Sequence, residues 1–373
     1  MRQKIALKRL SASDLTLFEY HFRRTSGTKQ KAFNLDSFVL VKEFYPSLPD
    51  VSDSAPIPID LSLFGPGTAQ LHNLQRKILK QQKNWRLDGE MIYGPPDDPN
   101  RYGTVAPGDF AILVFSNGVV PKATSCYLIS QGSQDDREIH AVILDTWGAS
   151  FSTHRAMVSV SPSTLSEALT TITLPLNHPL NDILDSDALE DASRDGFEGT
   201  QKLFRRQNFR KISREELLKG KSNAEAVGYR GETLVSYYLE ELKANGEISD
   251  YEWVSDTNAI APHDFTVQMS DANGGTRYVD VKSTSGRFEN AIHISAAELI
   301  DMSKRGDTYD IFRMSHVFEE RAELRIARSV GRIADEILAA ISALPDGVSV
   351  DSVSIKASQL RFESPIDVTN FDD

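Results

Sequence analysis

A single cysteine, Cys126, stands among 373 residues, so neither an intramolecular disulfide nor a cysteine-based zinc cage can form. The eight histidines are scattered, with no H-x-x-x-H pair to supply a helical zinc motif. No run approaches the roughly 18 apolar residues that a membrane helix requires, and the start MRQKIALKRL lacks a signal peptide's apolar core. The expectation is a cytoplasmic protein with no membrane partner. Positive charge is also in deficit, with 41 Lys and Arg against 53 Asp and Glu and a net charge of −12. That balance excludes a uniformly cationic coat, the simplest form of nucleic-acid binder. Gly220-Lys221-Ser222 imitates part of a P-loop, but Glu215 stands where the motif needs its first glycine. No G-x-S-x-G nucleophile elbow is present.

What is present suffices for folded cores. The hydrophobic fraction is 40% and the charged fraction 25%, and the length suggests about two or three domains. Charge is distributed in blocks. Five bases and no acid lie between Arg76 and Arg86, seven acids lie in 181–200, and seven bases follow in 201–219. Such blocks suit either a local nucleic-acid groove or a solvated surface.

Residues 1–176 read as a mixed α/β domain, a candidate for nucleic-acid recognition. Strand-like runs fall at Phe38–Glu43, Phe110–Phe115, Cys126–Ile129 and His140–Leu144. Thr68–Lys83 carries Leu71, Leu74 and Ile78 at helical spacing with a basic opposite face, which predicts a helix. That segment leads into Lys83-Asn84-Trp85-Arg86, where cations flank an aromatic. Lys83 and Arg86 suit phosphate contact, and Trp85 suits either base stacking or a core anchor. Trp147, Phe151, His154 and Arg155 offer a second surface, of a kind that can hold a flipped base. Residues 177–221 read as an acidic, then basic, linker. A second domain spans 222–365, and 366–373 form a tail.

The second domain carries the chemistry. Ala224–Asn245 places Val227, Gly231, Leu234, Val235, Tyr238, Leu239 and Leu242 on one helical face. Glu232 lies about 20° from Leu239 and about 40° from Gly228, at the border of that face, where a carboxylate needs a partner. Asp264–Met269 alternates as a strand, Ser270–Thr276 is turn-rich, and Arg277–Thr284 returns as a second strand. Val279 and Val281 face one way, and Tyr278, Asp280 and Lys282 the other. Asp280 and Lys282 then have Cα atoms about 6.5–7 Å apart, with Asp264 in reach on the neighbouring strand. Two strand-borne carboxylates make an oxygen-rich site suited to Mg²⁺, with Mn²⁺ as a substitute. Glu232 can complete that site or serve a second ion, and Lys282 can orient water or neutralise charge on a phosphorane. Farther on, Ser295-x-x-Glu298 matches a capping box, and a long helix is predicted near Glu320–Leu344.

Gly228-Tyr-Arg-Gly231-Glu232, His263-Asp264-Phe265 and Val279-Asp280-Val281-Lys282-Ser283-Thr284 together resemble the PD-(D/E)xK nuclease superfamily. Within it, the chain is most similar to the NO VEIN C-terminal-like domain family, which recurs in restriction and anti-phage proteins. His293-Ile-Ser295-Ala-Ala-Glu298 and Tyr309-Asp-Ile-Phe-Arg313 extend the likeness, which covers about residues 222–318. The resemblance implies a restriction-endonuclease-like α/β/α core with a mixed sheet. It also implies that Asp264 and Asp280 bind the metal, that Lys282 is catalytic and that Glu232 is the helical acid. One departure is His263 where the superfamily's name has a proline, with Pro262 displaced by one. His263 and Arg313 are further candidates for nucleic-acid contact.

The expected activity is therefore metal-dependent hydrolysis of DNA in restriction or anti-phage defence. The N-terminal domain would select a sequence or a modified base. DNA is the expected partner, together with a possible second copy of the chain and other defence proteins. The competing readings are a nuclease-fold scaffold subunit and an RNA nuclease.

Overall fold

The computed structural model describes residues 4–26, 29–52, 55–69, 71–81, 84–152, 155–206, 211–258, 260–270, 275–318 and 321–369. The chain divides into two compact units, Met1–Leu184 and Asp185–Asp373. Both are mixed α/β. Among the described residues no helix is long and apolar enough to cross a membrane.

The first unit is built on one eight-stranded sheet. Its strands are β1 (Lys4–Arg9), β2 (Ala32–Leu35), β3 (Ile57–Phe64), β4 (His72–Gln81), β5 (Asn84–Asp88), β6 (Phe110–Phe115), β7 (Ala123–Ile129) and β8 (Met157–Val160). They lie in the order β2-β5-β4-β3-β7-β6-β1-β8, with β3 parallel to β7 and the other pairs antiparallel. Both faces of the central strands are covered, which is why β6 reads as a continuous apolar run and β1 buries Ile5, Ala6 and Leu7 in succession. One face packs Ile5, Leu7, Phe110 and Ile112 against Ile139 and Ile143 of α1 (Arg137–Trp147) and Leu165 of α2 (Pro162–Leu169). The other face holds Ala6, Leu61, Leu63, Ile78, Trp85 and Cys126. Burial pushes the Cys126 thiol up to about 12, so it behaves as a small apolar side chain.

Three expectations for this unit are corrected. Thr68–Lys83 is not a helix: it supplies β4, between β3 and β5. Leu74 and Ile78 are four apart, a spacing that fits one face of a strand as well as one face of a helix, and the flanking strands decide between them. Phe38–Phe44 is a π-helical turn, and His140–Leu144 lies within α1. Short apolar runs carry no period of their own, so partners elsewhere in the chain set their form.

The second unit has three layers. A six-stranded sheet runs β16-β14-β13-β11-β10-β9, formed by β9 (Ile248–Trp253), β10 (Phe265–Met269), β11 (Thr276–Ser283), β13 (Tyr309–Ser315), β14 (Arg321–Ala327) and β16 (Ile366–Thr369). A two-stranded ribbon pairs β12 (Ile292–Ser295) with β15 (Ser352–Ile355). On one face lies α3 (Arg214–Ala244), which opens on a Ser213/Glu216 capping box and packs Val227, Leu234, Val235 and Leu239 against Phe265, Val279, Val281 and Phe312. On the other face α4 (Ala296–Arg305) and α5 (Gly331–Ser342) cover Tyr309 and Ile311 with Leu299, Met302 and Ala334. This is the expected α/β/α core. β11 and β13 run parallel, joined by the crossover through β12 and α4.

The long helix expected near Glu320–Leu344 is in fact β14 followed by α5. Ala322, Leu324 and Ile326 alternate inward at period two, and Ser329, at a φ of 57°, turns the chain before the helix begins at Gly331.

The two glycines of α3 near Glu232 do different things. A Cβ on Gly228 would meet nothing within 4 Å, whereas one on Gly231 would overlap the Ser283 side chain, with Ser283 Cβ at 2.7 Å. Gly231 thus lets α3 lie directly on the end of β11. Gly231→Ala is expected to lower stability by about 1–3 kcal/mol through overpacking. Gly228→Ala should be neutral or slightly stabilising. Urea unfolding of both variants, and of Gly231→Ala combined with Ser283→Gly, checks this: the double variant should recover part of the loss.

Candidate active site

Strand register brings the acids together. Phe265 pairs with Val279 across β10 and β11, so Asp264 stands beside Asp280 where β10 begins. β11 continues past that point, leaving the Val281 N–H without a strand partner on this side. The Asp264 side chain takes its place, with Oδ2 accepting from Val281 N at 2.7 Å. The backbone of Asp264 is held as well: its N–H donates to the Val279 carbonyl at 2.9 Å, and its carbonyl accepts from Val254 N at 2.7 Å. Tyr309, buried in β13, donates its hydroxyl to the Pro262 carbonyl at 2.8 Å and ties the approach to Asp264 to the sheet.

Asp280 and Lys282 share the face of β11 opposite α3, as their alternation requires. Lys282 Nζ lies 3.0 Å from Asp280 Oδ2 and 2.9 Å from Glu298 Oε2. Glu298 is the residue that sequence reasoning missed. Its capping-box role holds, since Ser295 N donates to Oε2 at 2.8 Å and Ser295 Oγ accepts from Glu298 N at 3.3 Å. The same Oε2 also meets Lys282, so one carboxylate fixes the start of α4 and grips the lysine. Nothing in a local motif shows a partner sixteen positions away.

The electrostatics of the group are unbalanced. Burial, then the charges of Glu298 and Asp264, raise Asp280 well above the ordinary carboxylate range, against the pull of Lys282. Burial opposes the charge on Lys282, but Asp280, Glu298 and Asp264 outweigh it and hold the ammonium above its usual value. Asp280 Oδ2 is buried, and no well-angled hydrogen bond reaches it among the described residues. Glu232 sits on α3 with Oε2 accepting from Trp253 Nε1 at 3.0 Å and Ser255 Oγ at 2.7 Å. Burial and the nearby Asp264 raise it too. The open space at Gly228, one turn before Glu232, leaves this side of the helix approachable.

Such a set fits a hard divalent cation: carboxylate oxygens, excess negative charge and a buried Asp280 whose one close cation among the described residues is Lys282. Among the described residues no three of His, Cys, Asp and Glu form a ready-made cage. The fit therefore rests on Asp264 and Asp280, with further oxygens from water or substrate.

Burial corrects Arg313, His263 and Trp85 as candidates for nucleic-acid contact, while Arg86 is half-buried. Arg313 is 1% exposed; its guanidinium donates to the carbonyls of Lys282 at 3.2 Å and Asn290 at 2.8 Å, so it braces β11 and touches no solvent-borne phosphate. His263 is 8% exposed, with Nδ1 on Asp301 at 3.1 Å and Nε2 on Thr266 at 3.2 Å. Both ring nitrogens are occupied inside the fold. Trp85 is 2% exposed in the core, and Arg86, its neighbour in β5, points to the opposite face and bonds Gln81 at 2.5 Å. Strand alternation separates what a helix would have kept on one surface. Trp147 and Phe151 are likewise core residues. Lys83 and His154 lie outside the described residues.

Residues 231–327 match the family model described as Protein NO VEIN, C-terminal, a PD-(D/E)xK-like domain. The match spans Glu232, Asp264, Asp280, Lys282, Glu298 and Arg313. The N-terminal half matches no family, and no curated protein matches the chain.

A raised carboxylate means that the folded chain holds more protons than the unfolded one, so this contribution to stability falls as pH rises from the unfolded carboxylate range through the folded one. In chelator, Asp280→Asn is therefore expected to raise the unfolding free energy at pH 7 by about 0.5–2 kcal/mol. The gain should shrink towards pH 4, where wild-type Asp280 takes up its proton. Urea titrations at the two pH values measure this, and a loss of stability at pH 7 would identify Asp280 as a net stabilising partner of Lys282.

Proposed function

We propose that the C-terminal unit is a Mg²⁺-dependent endodeoxyribonuclease acting in restriction or anti-phage defence, with the N-terminal unit selecting the DNA target. The observation that carries this reading is the Lys282 ammonium held against Asp280 and Glu298 beside Asp264, a cluster with more negative than positive charge. A protein that keeps the fold for binding alone has no physical need for it.

Asp264 and Asp280 would hold the cation. Bound there, Mg²⁺ or Mn²⁺ would supply Lewis-acid polarisation of the phosphodiester. Lys282 stays protonated throughout, so it acts as a hydrogen-bond donor and positive charge towards the phosphorane oxygens rather than as a base. Glu232, whose proton affinity is raised, is suited to accept the proton of the attacking water. The water oxygen forms the new P–O bond, the bond to the leaving sugar oxygen breaks, and that oxygen acquires a proton. Arg313 and Asp264 fix the geometry through the backbone of β11.

The test is incubation of purified protein with unmodified plasmid, base-modified phage DNA and RNA, in Mg²⁺ or Mn²⁺ and with an EDTA control. Cleavage should require metal and fall at least about a hundredfold in Asp280→Asn. Asp280→Asn is the better knockout, because Lys282→Ala would strand the buried Asp280 and the half-buried Glu298 and destabilise the unit for reasons unrelated to catalysis. Cleavage that survives EDTA or the Asn substitution overturns the metal assignment, and cleavage of RNA in preference to both DNAs overturns the substrate.

A further inference from the structure

In the N-terminal unit the buried Arg101 and half-buried Arg76 have no carboxylate in contact among the described residues. His72 and Arg76 project from the face of β4 that carries Leu74 and Ile78, in register with Leu63 and Ile59 of β3. Both side chains thus head towards the core side of the sheet rather than away from it. Tyr102, 1% exposed, stacks on Phe18 at 4.4 Å between ring centroids and meets His72 Nδ1 with its hydroxyl at 2.8 Å. Arg101, 6% exposed, lies with its guanidinium 5.4 Å from the Tyr102 ring centre and donates Nε to the Gly65 carbonyl at 2.8 Å. Arg101 Nη2 and Arg76 Nε are buried and have no hydrogen-bond partner among the described residues. Asp97, Asp98, Asp88 and Glu90 act on these arginines only through longer-range attraction.

Burial, Arg101 and Arg76 hold His72 below the ordinary imidazole range, so it is neutral. Burial also pushes the Tyr102 hydroxyl up to about 12. Tyr102 therefore keeps its proton, and in the tautomer where it donates to Nδ1 the His72 proton stands on Nε2 as a further donor. A buried guanidinium with an orphaned N–H is costly, and a second guanidinium beside it adds to that cost unless an anion joins them.

We propose that His72, Arg76, Arg101 and Tyr102 form a binding site for a terminal phosphate group. Two guanidinium forks and an imidazole N–H suit a tetrahedral group with several oxygens and more than one negative charge. A carboxylate, with two oxygens and a single charge, would satisfy one fork and leave the other. Arg101 is only 6% exposed, which favours a terminal phosphate over an internal phosphodiester flanked by nucleotides on both sides. Free phosphate, a mononucleotide or the phosphorylated end of a strand can enter. The site is independent of the nuclease reading, since its residues all lie in the N-terminal unit.

The full chain, kept in EDTA so that the carboxylate site stays unloaded, is titrated by calorimetry with inorganic phosphate, AMP, adenosine and acetate. Saturable binding of phosphate or AMP, with none of adenosine or acetate, is the expected result. Arg76→Gln and Arg101→Gln should each weaken it about tenfold or more. The His72 ring resonances should shift on binding, with the imidazole pKa rising as the anion offsets the two arginines. AMP and phosphate binding alike would point to the free ion, and preference for a 5′-phosphorylated oligonucleotide over its unphosphorylated form would point to strand ends. Absence of saturable binding by either phosphate probe, or equal affinity in Arg76→Gln, overturns the proposal. Arg76 lies nearer the surface than Arg101, so its variant keeps the test valid where Arg101→Gln does not fold.

Discussion

One ammonium group holds the C-terminal unit's site together. Lys282 faces Asp280 at 3.0 Å and Glu298 at 2.9 Å, and its side chain is only 13% exposed. At an effective dielectric of about 20, each contact is worth roughly 5 kcal/mol of Coulomb attraction. Burying three charged groups costs several kcal/mol per group, so attraction and desolvation nearly cancel. Asp264 tips the balance towards excess negative charge. The cluster thus does little to stabilise the fold and instead keeps a cation and a set of carboxylates poised in a fixed arrangement. That excess of negative charge is what the proposed cation site rests on.

The surrounding structure makes that arrangement rigid by backbone means. Asp264 caps the Val281 N–H that the shorter strand leaves open, Arg313 clamps the Lys282 carbonyl, and Tyr309 holds the Pro262 carbonyl. Gly231 allows α3 to lie against Ser283, next to the lysine. Glu298 closes the set, because the hydrogen bonds that begin α4 also orient the carboxylate towards Lys282. Each support joins a different element to β11, so the parallel β11–β13 pair and its crossover are what put the acid of α4 opposite the lysine of β11.

Much of this was legible in the sequence, and the parts that were not have a common cause. The β10–β11 hairpin announced itself through clean alternation on both sides of a turn-rich segment, and the helical face of α3 through seven residues at one period. These are local patterns with long runs behind them. Thr68–Lys83 failed because a four-residue spacing serves both periods, and the choice belonged to β3 and β5. Trp85 and Arg86 failed with it: on a helix they would have framed one surface, and on β5 they face opposite ways. Arg313 and His263 carried polar chemistry in the sequence, but the fold had already used it on carbonyls and on Asp301. Glu298 was found for the right local reason, and its second role lay in a contact that only the crossover creates.

The net charge of −12 conceals two local imbalances of opposite sign. The C-terminal unit gathers Asp264, Asp280 and Glu298 around one lysine, while the N-terminal unit gathers Arg76, Arg101 and His72 around one tyrosine. In both, one sign of charge outnumbers the other, and in both a titratable group's proton affinity moves in the direction that reduces the imbalance. A chain that tolerates such costs in two places is constrained there by something other than its own stability. The sign of each imbalance is the sign that each proposed site is suited to offset: a cation would do so where the carboxylates meet, and an anion where the arginines do.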